Sequence, residues 1–135
     1  MNNLHIRKSL EIKNKYNLSY FEAYVLLIIM TYQEETDVFD PNLVYKKVKN
    51  IVKRGKFITL KGCILTDNDI GRILGLGNSR TPINYELSNE LTNKAINKMK
   101  DLGILKIEKY QIYRDSKEWR RIINVIKDRG NICLQ

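Results

Sequence analysis

KMKDLGILKIEKYQIYRDSKEWRRIINVI, residues 98–126, is the stretch on which the reading of the fold turns. It opens on the end of a patterned helix, where Leu91, Ala95, Met99 and Leu102 form one stripe at spacings of four, four and three. Gly103 stands where a left-handed residue closes a helix, and Leu102 and Ile104 are placed to anchor the helix end and the next element in one core. ILKIEKYQIY then reads as a strand, Arg114 to Glu118 as a charged turn, and RIINVI as a second strand. Trp119, Ile122, Ile123 and Ile126 also fit helical spacing with Ser116 as a cap, but the β-branched run favours the strand.

Working outward, Thr66 with Asp69 starts another capped helix, DNDIGRILGL, which stops at Gly75 and Gly77. NSRTPINYEL at 78–87 is either an extended loop or the opening of the long helix, with Thr81 as cap, Pro82 in the first turn, and Ile83 and Leu87 continuing the stripe. Ser19 and Glu22 cap a further helix, SYFEAYVLLIIMTYQ, apolar nearly all round as a buried helix is. A short N-terminal helix precedes it within 1–17. Asp40-Pro41 reads as another helix start. Leu43, Val44, Val48, Ile51 and Val52 have helical spacing up to Arg54, and 57–60 and 63–65 read as short strands around Lys61-Gly62. The expectation is a single domain over 1–135, mainly α with a small β-hairpin: a winged helix-turn-helix.

Three segments carry a resemblance. LSYFEAYVLLIIM at 18–30 resembles the helix before the motif in the multiple-antibiotic-resistance (MarR-like) regulators, and KMKDLGILKI at 98–107 resembles their recognition-helix exit. DSKEWRRIINVIKDRG at 115–130 is similar to their wing, a scheme shared by the staphylococcal accessory regulators. The resemblance implies a winged-helix dimer with its recognition helix and wing on DNA. The chain departs from that pattern in a longer stretch at 36–65 and in the insertion at 78–87.

Composition narrows the function classes. Lys and Arg number 24 against 15 Asp and Glu, a net charge of +9, and a small domain so basic commonly meets a polyanion. Abundant Lys, Ile, Asn and Tyr also characterise proteins of AT-rich genomes, so charge alone does not decide. His5 is the sole histidine, and Cys63 and Cys133 are seventy residues apart, so neither a zinc site nor a histidine-based catalytic triad has its components. Gly71, Gly75 and Gly77 form no phosphate-binding loop. The expectation is a protein without cofactor, metal or catalysis. With no signal-like N-terminus and no run long enough to span a bilayer, it is expected to be cytoplasmic, with reduced cysteines.

Candidate DNA contacts follow from helical projection. Asn93, Asn97 and Lys100 fall opposite the apolar stripe, with Asn89 at its edge; Asn pairs bidentately with adenine, and Lys reaches guanine or phosphate. A helix beginning at Pro82 moves base contacts toward Arg80, Thr81, Asn84 and Tyr85. Thr92 and Lys94 flank this face as phosphate contacts. On the wing, Lys109, Arg114, Lys117, Arg120 and Arg121 suit phosphate clamps or minor-groove probes, while Trp119 is expected to pack under the hairpin or into a partner. Leu4, Ile6, Leu10 and Ile12 lack an obvious intrachain partner and point to a homodimer through the N-terminal helix. The leading expectation is a sequence-specific duplex-DNA-binding transcriptional regulator. The alternatives are a winged-helix module that binds another protein, or a plasmid or phage replication or partition protein.

Overall fold

The computed structural model describes residues 3–75 and 82–126, with side chains described for 7–75 and 89–126. The order is α1 (Asn3–Tyr16), α2 (Tyr20–Thr31), β1 (Glu34–Val48), β2 (Ile51–Gly62), α3 (Asp67–Ile73), α4 (Pro82–Asp101), β3 (Leu105–Gln111) and β4 (Trp119–Val125). The helix at the centre is α2. Ser19 and Glu22 close its N-terminus reciprocally, each backbone N–H donating to the other's side chain at 2.9 and 3.2 Å. Ala23, Val25, Leu26, Leu27, Ile28 and Ile29 are all buried, as a helix apolar on every side requires. Around it pack Ile12 of α1, Ile70 of α3, Ala95, Ile96 and Met99 of α4, Ile104 and Leu105 at the start of β3, and Ile123 of β4. No helix among the described residues is long and apolar enough to cross a membrane.

Among the described residues four strands stand beside four helices, so the fold is α+β and not mainly α. The sheet runs β2-β1-β3-β4, antiparallel throughout. The difference lies between residues 34 and 62. Where spacing predicts a helix over 42–54 and two short strands after it, the chain forms one long hairpin, β1 and β2. Val44, Val48, Ile51 and Val52 are β-branched and sit on a pleated ribbon with less loss of rotamer freedom than on a helix. Asp40 does not cap a helix. Its Oδ1 accepts the Asn42 N–H at 2.9 Å, a local turn placed where the β1–β2 register shifts. Pro41 lies past Phe39–Gln111, the single β1–β3 pair, and so removes no ladder donor from β3. A two-residue turn, Lys49-Asn50, closes the hairpin with Lys49 left-handed at φ 51°.

The remaining elements fall where the pattern places them, with details altered. Helix α3 carries the Thr66–Asp69 capping box. Of the two readings left open for 78–87, the helix beginning at Pro82 is the one found. Gly103 is left-handed at φ 77°, and the Ile104 N–H donates to the Met99 carbonyl at 2.9 Å. Strands β3 and β4 pair from Leu105–Val125 to Gln111–Trp119, so the strand reading of RIINVI holds over the helical one. The buried stripe of α4 is Thr92, Ala95, Ile96 and Met99. Leu91 and Leu102, expected in the core, are exposed, and Ile104 and Leu105 do the anchoring. Cys63 exchanges both backbone hydrogen bonds with Ile123 at 2.9 Å and so ties the end of the long hairpin to β4. Its thiol is buried, and burial pushes its pKa up, which leaves it a small apolar side chain rather than a nucleophile.

One ion pair joins the core helix to α4. Lys98 Nζ lies 3.0 Å from the Glu22 carboxylate. Burial by itself would raise the Glu22 pKa; the Ser19 amide and hydroxyl and the Lys98 ammonium together outweigh it and hold the carboxyl below its ordinary value. A depressed carboxylate contributes stability that is present above the unfolded-state pKa and lost as pH falls through the folded one. Glu22→Gln is therefore expected to lower stability at neutral pH and to lessen the loss on acidification, as read by urea denaturation from pH 7 down to pH 3. Parallel pH profiles for the two proteins would contradict this role.

Candidate nucleic-acid interface

Asp67, the first residue of α3, is where three elements meet. Its Oδ1 accepts from Arg121 Nη1 of β4 at 2.7 Å, and its Oδ2 accepts from Asn93 Nδ2 of α4 at 3.0 Å. Arg121 Nη2 also donates to the Leu65 carbonyl at 2.9 Å, which leaves the guanidinium spanning the loop before α3. Asn93 Oδ1 in turn accepts from Asn97 Nδ2 at 2.9 Å. The result is a relay, Arg121–Asp67–Asn93–Asn97, running from the hairpin through the N-terminus of α3 onto the surface of α4. Arg121 and Asp67 are largely withdrawn from water, with side chains 19% and 22% exposed, so the pair is less screened than a surface ion pair. The carboxylate also sits in the first turn of α3, where the helix dipole favours it.

This network sorts the candidate contacts. Asn93 has its carbonyl oxygen and one amide hydrogen engaged, so it positions rather than reads. Asn97 spends one amide hydrogen on the relay and keeps an acceptor and a second hydrogen, the pair that bidentate recognition of adenine needs. Lys100 is exposed beside it. Lys94 is exposed but 3.2 Å from Glu90, so its charge is shared with a carboxylate on the same face. Asp101, also exposed, adds a second acid there. Thr92 is fully buried and has nothing to offer a phosphate, which removes it from the contact set. Asn89 is only partly exposed, and its Oδ1 is buried without a hydrogen-bond partner among the described residues, which disfavours a groove contact. Arg80 and Thr81 lie outside the described residues, as do the side chains of Asn84 and Tyr85.

The hairpin residues divide the same way. Arg121 is the clamp just described, and Arg120 Nη1 donates to Thr36 Oγ1 at 2.8 Å, so both arginines expected on phosphate are occupied within the fold. Arg114 turns toward the long hairpin: its Nη2 donates to the Arg54 carbonyl at 3.3 Å and its guanidinium lies 4.8 Å over the Phe39 ring. Lys109 and Lys117 are exposed. Trp119 is not packed under the hairpin; it is 57% exposed, beside Lys109 and Ile112 in an open groove. Of the residues proposed for dimerisation, Ile12 belongs to the core, Leu10 is 42% exposed, and the side chains of Leu4 and Ile6 lie outside the described residues.

Compared with protein-family profiles, curated proteins and solved structures, the chain matches none. The site is therefore read from its own chemistry.

Projection placed Asn97 on the surface, but it could not show that Asn97 is oriented through Asp67, twenty-six residues from Asn93. Asp67→Asn removes the charge that holds Arg121, and the expected loss is about 1–2 kcal/mol, the range for a charge-assisted hydrogen bond discounted for partial exposure. Chemical denaturation reads it. A variant as stable as wild type would mean the relay is incidental to the packing of α3, α4 and β4.

Proposed function

We propose that this chain is a double-stranded DNA-binding protein in which α3 and α4 act as a helix-turn-helix and β3–β4 as its wing, in the service of transcriptional regulation. The observation that carries the reading is the relay. It locks the hairpin, α3 and α4 to one another and leaves Asn97 and Lys100 exposed on the long helix, as a reading head held at a fixed angle requires. The exposed Lys109 and Lys117 of the hairpin suit phosphate contact, which sets register on a duplex without reading sequence. A second copy would supply a second reading helix, and Leu10 on α1 is an exposed apolar residue open to such a contact. The polar, charged surface of α4 favours this reading over a module that docks on another protein through an apolar face.

The preferred duplex is found by selection from a random pool, and Asn97→Ala and Lys100→Ala are measured on it and on random duplex. Each is expected to lose about 1–3 kcal/mol on the preferred site and far less on random sequence. Trp119, the sole tryptophan, supplies a fluorescence signal from the hairpin. Equal losses on both duplexes would overturn α4 as the reader, and no salt-dependent duplex binding by wild type would overturn DNA binding itself.

A further inference from the structure

The long hairpin outruns the sheet that carries it. Strand β1 meets β3 at Phe39–Gln111, and from Pro41 to Arg54 every residue is exposed, on both faces of a two-stranded ribbon. At about 3.3 Å per residue the six residues of β2 from Ile51 to Lys56 reach roughly 20 Å from the body. Lys46, Lys47, Lys49, Lys53 and Arg54 lie on the ribbon, Lys56 lies at its root opposite Asp40, and no acidic residue occurs between Asp40 and Asp67. The acids of the hairpin, Glu34, Glu35, Asp37 and Asp40, lie at its base, and the ribbon beyond them carries positive charge alone.

The register adds a second observation. Directly opposed residues share a face, and Lys46 is opposed to Lys53 while Val48 is opposed to Ile51. Like charges in a cross-strand pair repel, a cost to the isolated protein that an anion between the two ammonium groups removes. Val48 and Ile51, 49% and 63% exposed, close the tip with an apolar pair. Aliphatic residues at the end with lysines behind them suit a ribbon that enters a nucleic-acid groove, the lysines meeting phosphates along its walls and the tip meeting sugars or thymine methyls. The major groove is wide enough for a two-stranded ribbon.

The root of the ribbon is built to hold a direction. Gly55 is left-handed at φ 96° and buried, and a Cβ there would lie 2.7 Å from Phe39 Cζ and from Arg114 Nη2. Arg114 belongs to the turn between β3 and β4, and through its bond to the Arg54 carbonyl it fixes the ribbon beside the wing. Strand β2 is an edge of the sheet, yet Lys53, Arg54, Lys56 and Lys61 along it repel a second copy of the same strand.

We propose that residues 41–56 form a basic β-ribbon arm that grips the phosphate backbone of duplex DNA from within a groove, at a site separate from α4. The arm contributes affinity without sequence preference and does not depend on α4 being the reader. The test uses the full chain and a duplex of about 30 base pairs, with binding followed across a salt series. Lys46→Ala/Lys53→Ala is expected to weaken binding to every duplex to the same degree and to flatten the log affinity against log salt slope by about two. Lys46→Arg/Lys53→Arg keeps the charges and should keep the slope. Lys46 and Lys53 are both solvent-exposed, and circular dichroism checks that the fold is unchanged. An unchanged slope in the alanine variant overturns the arm, whatever Asn97 and Lys100 do. A loss of slope there, with Asn97→Ala and Lys100→Ala showing no sequence effect, supports the arm and sinks α4 as reader. Arm-dependent binding to phosphatidylserine vesicles with an unchanged duplex slope would overturn the proposal in favour of a membrane surface.

Discussion

Asp67 is the residue on which the arrangement of the exposed elements depends. The core alone places α2 at the centre and leaves α3, α4 and β4 around it, since apolar contact is non-directional. Direction comes from a carboxylate whose two oxygens are taken by different elements, Arg121 of β4 on one and Asn93 of α4 on the other. Hydrogen bonds to a charged group are short and geometrically demanding, so a small movement of either partner is resisted. Asn97 inherits its orientation from that point through Asn93. A polar surface residue thus acquires the fixed placement that recognition needs, without being buried.

Two β-ribbons of the molecule touch through one arginine. The β3–β4 turn presents Lys117, and its Arg114 holds the root of the β1–β2 hairpin through the Arg54 carbonyl. The molecule's +9 charge is therefore unevenly spread. The face of α4 is mixed, with Glu90 and Asp101 among its basic residues, whereas the long hairpin has no acid beyond Asp40. In the proposed reading these surfaces divide the work: the mixed face discriminates between sequences, and the uniformly basic one supplies salt-dependent attraction.

Local signals with a mechanism were legible in the sequence. The capping boxes of Ser19–Glu22 and Thr66–Asp69, the left-handed Gly103 and the apolar body of α2 are each decided by residues a few positions apart. The long hairpin was not legible because its register shifts twice, between Asp40 and Val44 and between Val44 and Lys46. Each shift breaks the alternation by which a strand is recognised, and what is left matches helical spacing. Its turn is Lys49-Asn50, without the Asn-Gly signature. The available clue was compositional: β-branched residues ahead of a glycine, with an uninterrupted excess of lysine. The engagement of Arg120 and Arg121 is not legible in the sequence, because a charge count cannot register a partner as distant as Thr36 or Asp67, and the burial of Thr92 depends on packing that a helical projection does not carry.

The account claims that α4, the wing turn and the basic ribbon meet duplex DNA while the central helix does not. Backbone amide chemical shifts followed during titration with the selected duplex test this most directly. The account predicts perturbation at Asn97 and Lys100, across 113–118 and across 44–54, with 23–29 of α2 unmoved. Shifts confined to α1 and α2, or an unchanged spectrum at saturating duplex, would contradict it.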